Sequence, residues 1–456
     1  MVDDSTTRTG ADQKRVVVAV VPGRSTAPQT VFNSVNVLIG IGLLSLPLAM
    51  SYAGWLIGCT FMIVAAGLTL YTAKILARCL DTDPTLVTYA DIAYAAYGSR
   101  ARVLTSLLFS LELLGACVAL VVLFADSINS LLPQFWSKTK LKIAAFFILT
   151  PLSFLPLSVL SFSSILGILS TFGILLIVLI DGLIKREPPG SLWKPSSSSI
   201  LPSNWKTVPL SLGLLMSPWC GHSVFPNVYR DMRHPYKFNR CLNLTYFFTF
   251  VVDMSMGVLG LLMFGDDYVT EEITNTIVDT SGYPGLLNVV MTILIAFIPL
   301  SKTPLNARPI ITTIEVMLGV TLLIADRPYH KGNFLTSPQF VRIMIRLGIN
   351  ALFVIIAIVF PSFDRIMALV GSALGFTICL VLPLAFYLKI FNTTTTTITT
   401  NSNRNSNRSA QRNLEQAQFK IPDAEVVFDM IVIIAGTILA VVGGAWALLP
   451  DSFIFS

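Results

Sequence analysis

Residues 30–47 read TVFNSVNVLIGIGLLSLP, a stretch with no charged residue that carries Gly40, Gly42 and Pro47 within an otherwise apolar run. A run of this length and its continuation can cross a hydrocarbon core of about 30 Å as a helix. Glycine has little preference for the helical state, however, and proline supplies no amide donor, so the helix is weakest near its middle. Unpaired amides and carbonyls in hydrocarbon cost several kcal/mol each, so such a break persists only where protein, water or a ligand satisfies the freed groups. A second apolar stretch near 208–228 contains Gly221-His-Ser-Val-Phe-Pro226, which repeats the separation between Gly42 and Pro47. Two broken spans at corresponding places in two halves of a chain are the mark of an inverted repeat.

The rest of the chain is consistent with a bilayer as its solvent. It has 456 residues, 54% hydrophobic and 12% charged, with a mean hydropathy of +0.73. Soluble domains carry about 25% charge. No GxSxG, HExxH or P-loop pattern occurs, so nothing points to an enzyme. Cys59, Cys79, Cys117, Cys220, Cys241 and Cys379 lie in or beside apolar runs without CxxC pairing. Neither a disulfide framework nor a metal site is indicated, and no cofactor is expected. The net charge of +6 fits cytosolic loops better than nucleic acid.

Hydropathy gives about eleven transmembrane helices, near 30–50, 54–79, 103–131, 142–157, 159–184, 208–228, 243–265, 284–303, 341–360, 364–390 and 425–449. The expected fold class is therefore an all-α polytopic membrane protein. Residues 1–26 read as a cytosolic tail and 27–390 as a transport core of about ten helices, split into repeats of about five at 30–184 and 208–390. The polar run 391–424 reads as a disordered cytosolic linker, and 425–456 as a last helix with a lumenal C-terminus. Arg78, Arg100, Arg102, Arg230, Arg233, Lys237 and Arg240 fall on the side of the N-terminus, whereas the 266–283 loop carries Asp266, Asp267, Glu271, Glu272 and Asp279. That asymmetry places the N-terminus in the cytosol.

The breaks at 39–46 and 217–224 are the candidate ligand sites. Half-helix amides can hold a carboxylate there while freed carbonyls accept from an ammonium, which suits an amino acid. Asn36, Gly40, Ile41, Gly42, Leu43 and Ser45 on the first break, with Trp219, Gly221 and His222 on the second, are the expected substrate-binding residues. Trp219 and Phe225 can wall a pocket for an uncharged side chain or simply pack. A plain proline kink is the bland account of either break. Neither break contains a carboxylate, which favours neutral amino acids, with Glu112 on the third helix as the residue that could instead serve a cationic one.

Ionisable residues inside spans cost at least about 2.5–3.5 kcal/mol to insert, so each needs a reason. Glu112, His222, Asp253 and Lys302 are the ones singled out as functional candidates. Lys302, flanked by Ser301 and Thr303, either snorkels to the interface or places its ammonium at a cation position between helices one and eight. Lys302, Ser301, Thr303 and Glu112 are the expected ion-coupling set, with His222 open as a proton relay or a satisfied hydrogen-bonding residue.

Several motifs carry a family resemblance. They are the 30–47 stretch continued by Tyr52-Ala-Gly-Trp55, Cys79-Leu-Asp-Thr-Asp-Pro-Thr-Leu86, Tyr89-Ala-Asp91 and Gly221-His-Ser-Val-Phe-Pro-Asn227. Asp231-Met-Arg-His-Pro235, Ser301-Lys-Thr-Pro-Leu-Asn-Ala-Arg-Pro309 and Phe376-Thr-Ile-Cys-Leu380 complete the set. In order across roughly 30–450, they resemble the amino acid/auxin permease (AAAP) family, nearest the fungal vacuolar neutral amino acid transporters. The resemblance implies a core similar to the leucine-transporter fold of the APC superfamily, eleven helices and proton-coupled antiport into an acidic vacuole. It implies glutamine, asparagine, isoleucine, leucine and tyrosine as substrates. Expected partners are thus neutral amino acids, protons and lipid, with the chain monomeric and multi-pass in the vacuolar membrane. Similar fungal transporters can carry a much longer polar N-terminal region than the 26 residues read here as a tail. An amino acid sensor, or a symporter of the plasma membrane or lysosome with the same fold, is the alternative reading; a sensor would use the same pocket to shift a conformational equilibrium.

Overall fold

The computed structural model describes residues 23–131, 136–155, 157–318, 338–402 and 421–454, and among them the chain is almost wholly helical, with one isolated bridge between Ser25 and Met232. The first span begins as α1, Ala27–Leu38, started by a capping box in which Thr26 and Gln29 satisfy each other's end of the helix. It stops at Ile39 and Gly40, both extended, then tightens into a short turn over Ile41–Ser45. α2, Leu46–Asp81, follows and bends sharply at Gly54, where φ is +68°. Only glycine takes that conformation without strain, and a Cβ there would also lie 2.7 Å from the Leu201 carbonyl carbon. The bend returns the chain to the face on which it entered, called here the N-terminal face.

α3, Tyr89–Tyr97, lies between spans, and α4, Ser99–Leu131, crosses the molecule. α5, Lys138–Leu152, and α6, Leu157–Ile184, complete the first half. The second half opens with α7, Val208–Met216, whose last turn tightens over Ser217–Trp219. Residues 220–224 are not helical, and α8, Phe225–Asp231, resumes the direction. α9, Phe238–Phe264, the short α10, Ile273–Asp279, and α11, Gly285–Met317, come next. α12, Pro338–Val359, and α13, Phe363–Leu369, lead into a wide-turned π segment over Val370–Val381. α14, Leu382–Ser402, α15, Asp423–Leu448, and a last turn of helix, Asp451–Ile454, end the fold.

Eight helices among the described residues are long and apolar enough to span a membrane. The expected spans near 30–50 and 208–228 are not among them because each is broken at its glycines. The one expected at 142–157 is α5, 15 residues long and ended beyond Pro151. Of the linker expected over 391–424, residues 391–402 continue α14, and residues 403–420 lie outside the described residues. Extending an existing helix avoids the cost of nucleating one, so the threonine run continues the turn despite its β-branching. Of the expected tail 1–26, residues 1–22 also lie outside. Ser25 is paired, its N–H donating to the Asp231 carbonyl at 2.8 Å and its carbonyl accepting from Arg233 at 2.9 Å.

Leu104, Phe147, Phe247 and Ile434 point outward and exposed, as lipid-facing positions should. Inside, small residues let helices approach. A Cβ at Gly371 would sit 1.9 Å from the Gly213 carbonyl oxygen, and one at Gly443 2.6 Å from the Ser372 Cβ, so α15 and α7 both pack directly on the π segment. α15 is further tied to α2 by the Tyr71 hydroxyl on Asp429 at 2.8 Å and by the Arg78–Glu425 ion pair at 3.0 Å.

Candidate functional site

The two breaks lie against each other. A Cβ on Gly42 would be 2.7 Å from the Ser217 hydroxyl and 3.1 Å from the Pro218 nitrogen, and one on Gly221 would meet Val37 and Leu38 at 2.8 and 2.9 Å. These glycines are what allow the breaks to touch. Beside them is a cavity of about 330 Å³, at the small end of the roughly 300–1,000 Å³ of small-ligand sites.

α1 contributes Asn36, Val37 and Leu38 to the cavity, and the first break contributes Gly40, Ile41 and Gly42. From α4 come Phe109, Glu112, Leu113, Ala116 and Leu120, one stripe at helical spacing. The second break supplies Ser217, Pro218, Cys220, Ser223 and Val224, while α11 supplies Lys302, Leu305, Asn306 and Pro309. Toward the opposite face Leu43, Leu44 and Leu46 are fully packed, and α10 rests on this turn. On the N-terminal face, Arg230 of α8 donates to the carbonyls of Leu80, Asp83 and Leu86 at 2.6, 2.8 and 2.7 Å, joining the second break to the connection after α2. The Tyr229 hydroxyl bonds Asp81 beside it.

The break in α1 frees carbonyls, and Lys302 takes them. Its ammonium donates to the Asn36 oxygen at 3.0 Å and the Ile39 oxygen at 2.5 Å. It also lies 3.9 Å from the position a Gly40 Cβ would occupy. The head group therefore sits inside the molecule between α11 and the first break rather than at the interface. Ser301, next to it, bonds the Ile298 carbonyl at 3.0 Å, and the Thr303 hydroxyl is buried without a partner. Neither hydroxyl lines the cavity.

Of the expected substrate residues, Asn36, Gly40, Ile41 and Gly42 line the cavity, while Leu43, Ser45, Trp219, Gly221 and His222 are not among its lining residues. Ser45 bonds the Gly42 carbonyl at 3.0 Å and closes the turn. Trp219 is fully buried and stacks on Tyr246, centroids 5.6 Å apart. His222 turns toward α2, where Nε2 is 3.0 Å from the Thr69 carbonyl and 2.9 Å from the Thr72 hydroxyl. Donation to the carbonyl makes it a strut between the second break and α2. Glu112 does line the cavity, its Oε2 accepting from Ser223 at 3.2 Å and its Oε1 buried without a partner. Sequence reasoning did not single out Phe109, Leu113, Ala116 or Asn306. The three on α4 were reachable from the helical spacing around Glu112.

The profile of the family described as transmembrane amino acid transporter protein matches residues 23–405. The amino acid transporter AVT1B of Arabidopsis thaliana is 30% identical over 383 residues, which cover 81% of this chain and 65% of that protein. The vesicular GABA transporter of Caenorhabditis elegans is 27% identical over 375 residues, 81% of this chain and 73% of that one. This chain thus spans slightly under two thirds of the length of the Arabidopsis protein. Among solved structures, a Na⁺-coupled sialic acid symporter in a substrate-bound outward-open state superposes with a TM-score of 0.54 at 14% identity, over 94% of this chain and 91% of that one. That likeness establishes the leucine-transporter-like fold.

Proposed function

We propose that this chain, which belongs to the transmembrane amino acid transporter protein family, exchanges protons for neutral amino acids and loads them from the cytosol into an acidic vacuole. The substrates are glutamine, asparagine, isoleucine, leucine and tyrosine, as the resemblance to fungal vacuolar neutral amino acid transporters implies. An internal membrane also agrees with the name of the worm relative, a vesicular transporter. The excess of Lys and Arg on the N-terminal face supports a cytosolic orientation of that face.

One observation carries the coupling. In broken-helix transporters the freed carbonyls of an unwound span coordinate the coupling cation. Here the Lys302 ammonium holds the Asn36 and Ile39 carbonyls. A fixed ammonium does the work of an ion and can change its charge by giving up a proton. With the charge gone, the attraction that clamps α1 to α11 weakens, and the two helices part more readily. Proton and conformation are linked through one side chain, and no sodium is needed. Ser301 and Thr303 flank that contact on α11, and the Ser301 hydroxyl is held by the Ile298 carbonyl.

The test is uptake of a panel of labelled amino acids by purified protein in liposomes with an inside-acid gradient, with and without sodium. Sodium-independent accumulation of neutral amino acids that collapses when the gradient is dissipated supports the proposal. Binding without transport would support a sensor, and uptake only with the gradient reversed would support a symporter.

A further inference from the structure

We propose that Glu112 reads the substrate's side chain, so that the cavity favours neutral amino acids bearing a side-chain N–H donor, glutamine and asparagine, over leucine and isoleucine. The inference rests on the transport reading and deepens it.

Glu112 is 5% exposed, lines the cavity from α4 and leaves Oε1 without a hydrogen-bond partner. Its other oxygen is held by Ser223, which fixes the carboxyl against the second break. The surrounding wall is apolar, formed by Phe109, Leu113, Ala116 and Val370. A buried acceptor without a donor is costly, and the cost is relieved when a ligand brings one. Asn36 Oδ1 is a second unpartnered acceptor, on α1 at the opposite break. The cavity is thus short of donors at two places on different elements. The ammonium of an α-amino acid satisfies the acceptor beside the freed backbone, and a side-chain amide N–H satisfies Glu112.

An aliphatic side chain fits the apolar wall but leaves Oε1 orphaned, and sites built to hydrogen-bond a ligand discriminate strongly against analogues lacking the donor. A lysine or arginine side chain would add a third full positive charge to those of Lys302 and of the substrate's own ammonium. An acidic side chain would meet a carboxyl. A neutral donor is what remains, and the amide of glutamine or asparagine offers two N–H groups where the tyrosine hydroxyl offers one O–H.

Specificity constants for glutamine and leucine, measured in inside-acid liposomes for wild type, Glu112→Leu and Glu112→Gln, test the proposal. Wild type should prefer glutamine, and the glutamine-to-leucine ratio should fall about tenfold or more in Glu112→Leu, with Glu112→Gln between the two. An unchanged ratio, with both constants falling together, would mean that Glu112 serves every substrate alike as an ammonium or proton site, and overturns the proposal. A wild type that prefers leucine overturns it equally. Should Glu112→Leu not reach the membrane, Glu112→Met keeps the length and decides by the same ratio. A wild type that carries no amino acid contradicts the transport reading itself and removes this inference with it.

Discussion

The Lys302 ammonium reaches from α11 to the Asn36 carbonyl oxygen of α1, 3.0 Å away, across the point where α1 has ended. An element that would otherwise present unpaired acceptors in mid-membrane is closed by a charge from the second half of the chain. Lys302→Met keeps most of the side chain's length and none of its charge. It should insert normally and keep some exchange, while proton-driven accumulation falls about tenfold or more. Accumulation ratios in inside-acid liposomes, set against surface expression, measure this. Wild-type accumulation with wild-type pH dependence would leave Lys302 only a structural part.

Steric contact between the breaks is as demanding as charge. Gly42→Val and Gly221→Val add carbons where Ser217 at 2.7 Å, and Val37 at 2.8 Å, already stand. Each should reduce uptake to about a tenth or less while leaving the protein in its membrane, since overpacking forces the breaks apart without removing a span. Normal affinity and rate in both variants would show that the breaks separate freely.

These features differ in how far they were legible beforehand. Gly42, Gly221 and the prolines after them point to a weakened helix, which a kink would also have satisfied, and Lys302 stands out by its charge, although its sequence leaves snorkelling open. His222 is the instructive opposite. It sits within the second break and looks titratable, yet it faces Thr69 and Thr72 of α2. Spacing assigns a face on a regular helix, but residues 220–224 follow no helical period, so nothing in the sequence says which way a side chain turns there. The end of α14 was hidden for another reason, that polar composition alone does not stop a helix already nucleated in the membrane.

On the face opposite the N-terminal face, the packing of α10 is expected to depend on pH through Glu272. Glu272, 1% exposed at the start of α10, has its carboxyl pushed well above the usual range by burial, then by Asp126 and Glu271, with Lys138 opposing and Asp364 adding to the rise. A proton is thus held more tightly when α10 is packed down than when it lifts and Glu272 is hydrated. The packed arrangement gains fully below the ordinary carboxylate range and loses that gain as pH rises through the raised value. Hydrogen exchange of 269–280 should accelerate as pH rises, beyond the intrinsic rate, and Glu272→Gln should flatten the extra dependence. An unchanged profile in that variant would place the sensitivity elsewhere.

Arg230 latches the other face by three bonds to carbonyls at 2.6 to 2.8 Å. Hydrogen bonds to charged groups contribute about 1.5–3 kcal/mol each where well formed, less where water competes. Arg230→Gln should therefore open this face more often. With Ser223→Cys as the reporter in a form whose six native cysteines are replaced, a membrane-impermeant thiol reagent added on the N-terminal side should label several-fold faster when Arg230→Gln is present. Equal rates would show that the latch holds nothing shut.

The most direct measurement follows protons and substrate together. Liposomes loaded with a trapped pH dye and made acid inside receive glutamine outside, in sodium-free buffer, with protein or without. The account predicts that the interior becomes alkaline in step with glutamine entry, and that Lys302→Met abolishes the linked proton movement while leaving the protein in the bilayer. Glutamine entry without proton efflux, or entry that appears only when sodium is restored, would contradict it.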